Sequence, residues 1–281
     1  MSTGFTAGSH ARGAAEAAGK SFVRSRAFEL LSRVGFVARG VIWGIIGILA
    51  LKLALGHGGK TTNQQGALHT IAQQPFGKIL LTLVAIGLGG YSLWRLLRAA
   101  IGHGREGSDS AFERVAGAAS GIAYAVMCTF AVQVLLGADT SSTSGNTKHE
   151  TAGVLGWPAG NWIVGIAGAV MIGTALYQGY RGITRKFLED SKVEQMGPRL
   201  KLWIARLGTT GHLARMVVFG LIGIFVVKAA INDSRHAAIG LDGALAKLVH
   251  RAYGPWFLGF VAAGLIAFAL YSLSDARYRR I

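Results

Sequence analysis

Six long apolar segments constrain this chain more than any other feature of its sequence. Each is close to the roughly 20 residues that a helix needs to cross the hydrocarbon core of a bilayer. Barrel strands would be about 10 residues long and would alternate in polarity, which these segments do not. The sequence therefore predicts an all-α integral membrane protein with six transmembrane helices. The segments lie near residues 38–55, 77–97, 115–136, 160–181, 213–231 and 254–273.

The distribution of charge predicts how these helices are oriented. The 281 residues carry 29 Lys and Arg against 13 Asp and Glu. Nineteen of the cations lie in residues 1–36, 95–114, 181–209 and 275–281, whereas only six lie in the three other connections. The positive-inside rule then predicts a plasma membrane protein with both termini cytoplasmic. The basic charge also predicts attraction to anionic lipids, and no compact basic domain suggests nucleic acid binding.

Internal repetition organises the chain. ARGVIWGIIGILALK (38–52) aligns without gaps with ARMVVFGLIGIFVVK (214–228), and GALHTIAQQPFGKILL (66–81) aligns with GALAKLVHRAYGPWFL (243–258). A more diverged copy begins with ERVAGAASGIAYAVMCTFAVQVLLG (113–137). Because each unit crosses the membrane twice, the three units are parallel repeats. The predicted organisation is a cytoplasmic tail with a basic amphipathic helix (1–36), followed by repeats over 37–98, 113–182 and 204–281.

Three equivalent hairpins fit either a pseudo-threefold ring or an irregular bundle, and the sequence does not decide between them. The loops inside the first and third repeats carry apolar residues at i, i+3, i+4 and i+7, beginning at Leu68 and Leu245. This spacing predicts a short helix at the outer surface or folded back on the bundle. The corresponding middle loop, ADTSSTSGNTKHET (138–151), is polar and predicts a flexible connection.

Several of these stretches together resemble a known family. They are RVGFVARGVIWGIIGILAL (33–51), GALHTIAQQPFG (66–77), YQGYRGITRKFLED (177–190) and ARYRR (276–280). With them the chain resembles a bacterial family of multi-pass membrane proteins, domain of unknown function 1206. The resemblance implies three tandem two-helix units in the membrane, and it implies no activity or catalytic residues.

Two apolar segments carry a cation near each end. Arg39 and Lys52 lie 13 residues apart in the first helix, as do Arg215 and Lys228 in the fifth. Thirteen residues of helix span roughly 20 Å, which is less than the hydrocarbon core of about 30 Å. These side chains are therefore predicted to flank the packing face and to extend to the membrane edges as anchors. A functional pair at the mouths of a pathway is the alternative.

Polar groups inside the apolar segments are otherwise few. Gln133 is predicted to form a hydrogen bond to another helix or to line a cavity. None of the 13 Asp and Glu residues falls in the six segments, which argues against proton- or cation-coupled transport. The single cysteine, Cys128, is predicted to be a buried apolar side chain.

Glycines at helical spacing predict close contacts between helices. Small residues let helix backbones approach each other in lipid, where packing replaces the hydrophobic driving force. The first helix has Gly40, Gly44 and Gly47 on one face, and the fifth helix repeats this pattern with Gly220 and Gly223.

No motif in the sequence predicts catalysis, a metal or a cofactor. GHGREG (102–107) matches G-x-G-x-x-G but lacks the preceding strand that a dinucleotide site requires. His149-Glu150 begins like a zinc protease motif, yet Gly153 occupies the second ligand position. We therefore expect a non-enzymatic membrane scaffold or interaction protein with a basic cytoplasmic face. A small passive transporter or channel around a pseudo-threefold axis is the alternative.

Overall fold

The computed structural model describes residues 26–57, 62–101, 111–137, 153–154, 157, 159–232, 241–249 and 253–280. Within them the chain forms eight α-helices and two short 3₁₀ helices, Lys186–Leu188 and Val193–Gln195. Six of the α-helices are long and apolar enough to cross a membrane, which confirms the predicted all-α membrane fold. The α-helices are α1 (Arg26–Ala54), α2 (Gln64–Ala72), α3 (Gly77–Ile101), α4 (Ala111–Leu135), α5 (Gly160–Thr184), α6 (Pro198–Ile231), α7 (Leu241–Val249) and α8 (Gly254–Tyr278).

The six long helices alternate in direction. We call the end where α1, α4 and α6 begin and α3, α5 and α8 end the basic end of the bundle. Side chains there bond to carbonyl groups of the neighbouring helix: Arg33 to Ala276, Arg114 to Ala99, and Thr209 to Gly182. The short helices α2 and α7 lie towards the opposite end.

The predicted amphipathic helix before the first membrane segment is not a separate surface element. The structure has one helix from Arg26 to Ala54, and residues 1–25 of the predicted tail lie outside the described residues. Ser32 and Phe36 are fully buried in this helix. No residue between the predicted amphipathic helix and the membrane segment breaks the helix. Gly35 lets α1 approach α3 closely, because a Cβ on Gly35 would lie 2.7 Å from the Gly87 carbonyl oxygen.

The order of packed neighbours is α4, α3, α1, α8, α6, α5. Each first helix of a repeat therefore packs on the second helix of another repeat: α1 on α8, α6 on α5, and α4 on α3. The row is curled, because Trp43 of α1 meets Phe219 of α6 with ring centroids 6.2 Å apart. Across the curl, Tyr124 of α4 and Phe219 of α6 pack against the same buried core.

The arrangement is therefore a pseudo-threefold ring that is open at one place. In the described residues α4 and α5 are not a closely packed pair, and they are the least buried of the six long helices. The open place lies within the middle repeat, between its own two helices.

Two contacts between repeats are copies of each other. A Cβ on Gly47 would lie 2.8 Å from Ile266 Cγ1 on α8, and a Cβ on Gly223 would lie 2.7 Å from Ile172 Cγ1 on α5. The other glycines predicted to pack are in the same contacts, with Gly40 and Gly44 facing Ala269, and Gly220 facing Ala175.

Contacts within the first and third repeats are also copies. As Gly35 meets Gly87 in the first repeat, Gly211 and Gly264 bring α6 and α8 together in the third. A Cβ on Gly211 would lie 2.6 Å from the Cα of Phe268. At the corresponding positions the middle repeat has Ala116 and Val170. These larger residues do not allow the same approach, which accounts for the opening between α4 and α5.

The two short helices pack back on the bundle, as one of the two predicted arrangements required. Leu68 of α2 and Leu245 of α7 are fully buried. α2 contacts α1, α3 and α4, and α7 contacts α6 and α8. α2 begins where the Asn63 side chain accepts a hydrogen bond from the Gly66 amide at 2.9 Å, a common N-terminal cap. The polar middle loop, 138–151, lies outside the described residues.

Candidate functional site

Arg39 lies inside the bundle and is bonded on three sides. Its Nη2 donates to Asp275 Oδ2 at 2.7 Å, its Nε to Ser272 Oγ at 3.1 Å, and its Nη1 to the Tyr91 hydroxyl at 3.0 Å. Only 6% of the residue is exposed. These bonds connect α1 to both α8 and α3.

Asp275 joins Arg39 to a larger group of charges at the basic end. Arg279 Nη1 donates to Asp275 Oδ2 at 3.3 Å, and Arg279 Nη2 donates to Asp190 Oδ2 at 2.9 Å. Arg181 of α5 also donates to Asp190 Oδ2, at 2.6 Å. We call the following residues the arginine cluster: Arg39, Arg95, Arg181, Arg215, Arg279, Asp190 and Asp275.

Asp275 corrects one expectation from the sequence. No carboxylate was expected among the membrane segments, because the last segment appeared to end at residue 273. The helix instead continues to Tyr278, and Asp275 is only 1% exposed within it. Hydropathy ended the segment too early because it scores Asp275 as polar regardless of its partners. Ser272 and Asp275, one helical turn apart, are the local signal that was missed.

The predicted position of Arg39 is also corrected. It was expected to flank the packing face and extend to the membrane edge, but it lies between helices with Phe36 and Phe268 rings 5.0 and 5.3 Å from its guanidinium carbon. A buried cation is costly unless it is paired and fully hydrogen-bonded. Asp275 and the two hydroxyl groups meet that requirement.

Arg215 occupies a similar place on α6 with fewer polar partners. Its guanidinium carbon lies 4.4 Å from the Phe268 ring and 5.0 Å from the Trp43 and Phe219 rings. Its Nε is buried without a hydrogen-bond partner. In the described part of the chain, Arg215 forms no ion pair with a carboxylate. Part of the residue is exposed, and it too was expected to extend to the membrane edge.

Gln178 and His212 complete the surroundings of Arg215. With its amide oriented to suit both neighbours, Gln178 accepts from Arg215 Nη1 and Nη2 at 3.3 and 3.2 Å and donates to His212 Nδ1 at 2.6 Å. His212 then carries its proton on Nε2, which is buried without a partner. His212 is 5% exposed and stacks on Phe187, with ring centroids 5.2 Å apart.

The arginine cluster has an excess of positive charge. It contains five arginines and two aspartates, and Arg95, which donates to the Tyr91 hydroxyl at 3.2 Å, has no carboxylate partner among the described residues. The cluster therefore favours negatively charged groups, which arginine binds through its planar fork of N–H donors.

The structure does not bring the other predicted site residues into this cluster. Lys52 and Lys228 are exposed in the last turns of α1 and α6, at the end opposite the cluster. Their role as membrane anchors stays a prediction. Gln133 was expected to bond to another helix or to line a cavity, but it is exposed on α4 and bonds to no other helix in the described residues.

The described residues contain no group of three or more His, Cys, Asp or Glu arranged to hold a metal ion. The sequence motifs weighed for other chemistry, GHGREG at 102–107 and His149-Glu150, lie outside the residues described above. Cys128 is half-buried, and its Sγ donates to the Ala85 carbonyl at 3.3 Å.

Comparison with known proteins gives a family but no activity. The family model described as Domain of Unknown Function (DUF1206) matches the chain three times, over residues 34–102, 115–185 and 210–279. A Bacillus subtilis (strain 168) protein described as "Uncharacterized protein YxxB" is 31% identical over 252 residues, which cover 89% of this chain and 90% of the relative. No solved structure matches the chain.

Proposed function

This chain belongs to the Domain of Unknown Function (DUF1206) family, and from that premise we propose that it is a plasma membrane interaction protein that docks an acidic cytoplasmic protein. The proposed docking surface is an exposed group of cations at the basic end, which we call the basic platform. The positive-inside rule supports a cytoplasmic location for this end. The platform consists of Arg185, Lys186, Arg199, Lys201, Arg206, Arg277 and Arg280, all of which are exposed.

The single observation that carries this proposal is that the platform is ordered by the fold. The connection between α5 and α6 is joined to the C-terminal residues by an antiparallel bridge between Ser191 and Arg279. The Lys192 amide donates to the Tyr278 carbonyl at 2.7 Å, and the Arg280 amide donates to the Asp190 carbonyl at 2.9 Å. These bonds give the exposed cations a defined arrangement.

Order of this kind favours a protein partner over a lipid surface alone. A flexible basic segment is enough for attraction to anionic lipid headgroups, whereas a surface that is ordered before binding loses less conformational entropy when it meets a folded partner. A hydrogen bond with Tyr180 raises the pKa of the Lys186 ammonium group, which is protonated at neutral pH in any case. Exposed cations outnumber the exposed carboxylates Glu189 and Glu194, so an acidic partner is the complementary one.

Anionic lipid remains part of the proposed setting. Trp203 is 60% exposed near the start of α6, among the platform residues and before the apolar segment, with Leu200 and Leu202 exposed beside it. Tryptophan is enriched at the boundary between a membrane and water. The platform is thereby expected to lie at the level of the headgroups.

Photo-crosslinking in intact cells tests the proposal. With benzoylphenylalanine in place of Lys186, we expect a discrete crosslinked protein that is not recovered from Tyr253, which is exposed at the opposite end. The Arg199→Glu/Lys201→Glu variant should lose this product, whereas Lys228→Glu/Lys247→Glu should retain it. If positions 186, 199 and 277 all give no discrete product under several growth conditions, the proposal is wrong.

A passive transporter or channel is the second candidate, and the excess positive charge of the arginine cluster favours anions as its substrate. A groove of about 450 Å³ between α1 and α3 is lined almost wholly by apolar side chains, with Lys52 at its edge, and offers no polar route. Anion flux into liposomes that contain the purified protein, above the flux into protein-free liposomes, would favour this candidate. No flux of chloride, phosphate or small carboxylates would exclude it.

A further inference from the structure

The contacts of α1 with α8 and of α6 with α5 allow two arginines to be compared position by position. The matching pairs Gly47–Ile266 and Gly223–Ile172 fix the correspondence between the two contacts. Arg39 precedes Gly47 in α1 by the same number of residues as Arg215 precedes Gly223 in α6. The two arginines therefore occupy equivalent positions in the two contacts.

The hydrogen-bond acceptors that surround Arg39 are not repeated around Arg215. The same correspondence places Gln178 where Arg39 has Ser272, and Arg181 where Arg39 has Asp275. When the first and third repeats are aligned, Phe268 stands at the position of Tyr91 and provides no hydroxyl group. The second contact therefore keeps one of three acceptors, and a cation replaces the carboxylate.

The observed surroundings of Arg215 agree with this comparison. Gln178 is its one hydrogen-bond acceptor in the described residues, and the Nε donor has none. One helical turn earlier, the His212 Nε2 donor is also buried without an acceptor. The three aromatic rings around Arg215 stabilise its charge, but they do not provide the in-plane oxygen acceptors that a guanidinium group prefers.

We propose that Arg215 binds a phosphate-type oxyanion, which takes the place that the Asp275 carboxylate holds beside Arg39, with Arg181 as a neighbouring cation that keeps its bond to Asp190. Arginine is well suited to this ligand because its N–H fork matches the spacing of phosphate oxygens. The negative charge offsets the excess positive charge of the arginine cluster. Arg215 is partly exposed whereas Arg39 is enclosed, so the second contact is the more accessible of the two.

The phosphate group can come from a lipid headgroup or from free phosphate. The opening between α4 and α5 borders the helix that carries Gln178 and Arg181. This site is independent of the proposed partner protein, because Arg215 and Arg181 are not part of the basic platform.

Thermal unfolding of the purified protein tests the site. In neutral detergent at constant ionic strength, we expect inorganic phosphate or phosphatidylglycerol to raise the unfolding midpoint by at least about 3 °C, with no such effect from phosphatidylcholine. A response to phosphatidylglycerol alone identifies a lipid site, and a response to both identifies a phosphate site open to water. If neither raises the midpoint, the proposal is wrong.

Substitutions on α6 provide the matched controls. Arg215→Gln should abolish the increase, whereas Lys228→Gln, which changes an exposed cation at the opposite end of the same helix, should retain it. Arg215→Lys keeps the charge without the fork, and should need at least about three-fold more phosphate for half of the increase. An Arg215→Gln protein that still responds like the unsubstituted protein would overturn the proposal.

Discussion

Arg39 shows how this protein keeps a charge between membrane helices. Its partner Asp275 is 236 residues away in the chain, and both groups are buried. The pair is held by hydrogen bonds to hydroxyl groups on two further positions, so that neither charge is left without partners. Removal of one member leaves the other charge buried without its partner, which usually lowers the free energy of unfolding by about 3–5 kcal/mol.

We therefore predict that Asp275→Leu lowers the free energy of unfolding by about 3–5 kcal/mol. The Arg39→Met/Asp275→Leu double variant should lose less than the sum of the two single variants, because it removes both charges. Equilibrium unfolding of the purified variants in detergent measures this coupling. Additive losses would show that the two side chains do not act as a pair.

An exposed ion pair provides the comparison. Arg280 and Glu194 lie 3.1 Å apart with 45% and 62% of their side chains exposed. Exposed pairs typically contribute about 0–1 kcal/mol. Glu194→Gln should therefore leave the free energy of unfolding almost unchanged in the same measurement.

The sequence drew attention to Arg39 and Arg215 but could not supply their partners. A charge inside an apolar segment is visible in the sequence, whereas the side chain that neutralises it depends on which helices pack together. Hydropathy also scores each residue alone, so Asp275 appeared to lie beyond the end of a helix. Lys52 and Lys228 show the complementary case, since neither forms an ion pair with a distant side chain in the part of the chain that the structure describes.

At the scale of the helices, glycine position decides which pairs approach closely. The glycine spacing was readable from the sequence, and the structure places these residues at helix contacts. The sequence could not show which helix lies opposite, and α1 packs against the last helix of the chain as well as against its own repeat partner. The length of α1 and α8 was also underestimated, because paired polar residues extend both helices beyond their apolar segments.

Gly211→Ala tests one of the closest of these approaches. The added Cβ would meet the backbone of Phe268 on α8 at 2.6 Å, and overpacking of this kind typically costs about 1–3 kcal/mol. The unfolding midpoint in detergent should fall accordingly. Gly173→Ala is the control, since nothing lies within 4 Å of an added Cβ there, and its midpoint should not fall. Equal midpoints for the two variants would contradict the described α6–α8 contact.

At the scale of the molecule, the repeats specified much of the architecture. Three parallel hairpins fitted either a ring or an irregular bundle, and the structure has cyclic contacts between repeats. The opening in that ring follows from side chains in the middle repeat, where Val170 stands at the position of Gly87 and Gly264. Comparison of the repeats in sequence did not reveal the effect of Val170 on packing. Replacement of one glycine leaves a segment long and apolar enough to be predicted as a membrane helix.

The orientation of the molecule stays a prediction from charge. In a Cys128→Ser background, a cysteine at position 186 should react with a membrane-impermeant thiol reagent only after the cells are opened. A cysteine at position 253, at the opposite end, should react in intact cells. The reverse pattern of labelling would place the basic platform outside the cell and would contradict its proposed cytoplasmic role.

Arg215 lacks the resident carboxylate that Arg39 has, because Arg181 stands at the position of Asp275. Comparison of Arg181→Asp with Arg181→Gln in phosphate-free detergent measures this most directly. Both variants lose the bond from Arg181 to Asp190, but only the first supplies a carboxylate opposite Arg215. We predict that Arg181→Asp has the higher unfolding midpoint and no longer responds to phosphate or phosphatidylglycerol. If Arg181→Asp is no more stable than Arg181→Gln and responds to phosphate like the unsubstituted protein, the claim is wrong.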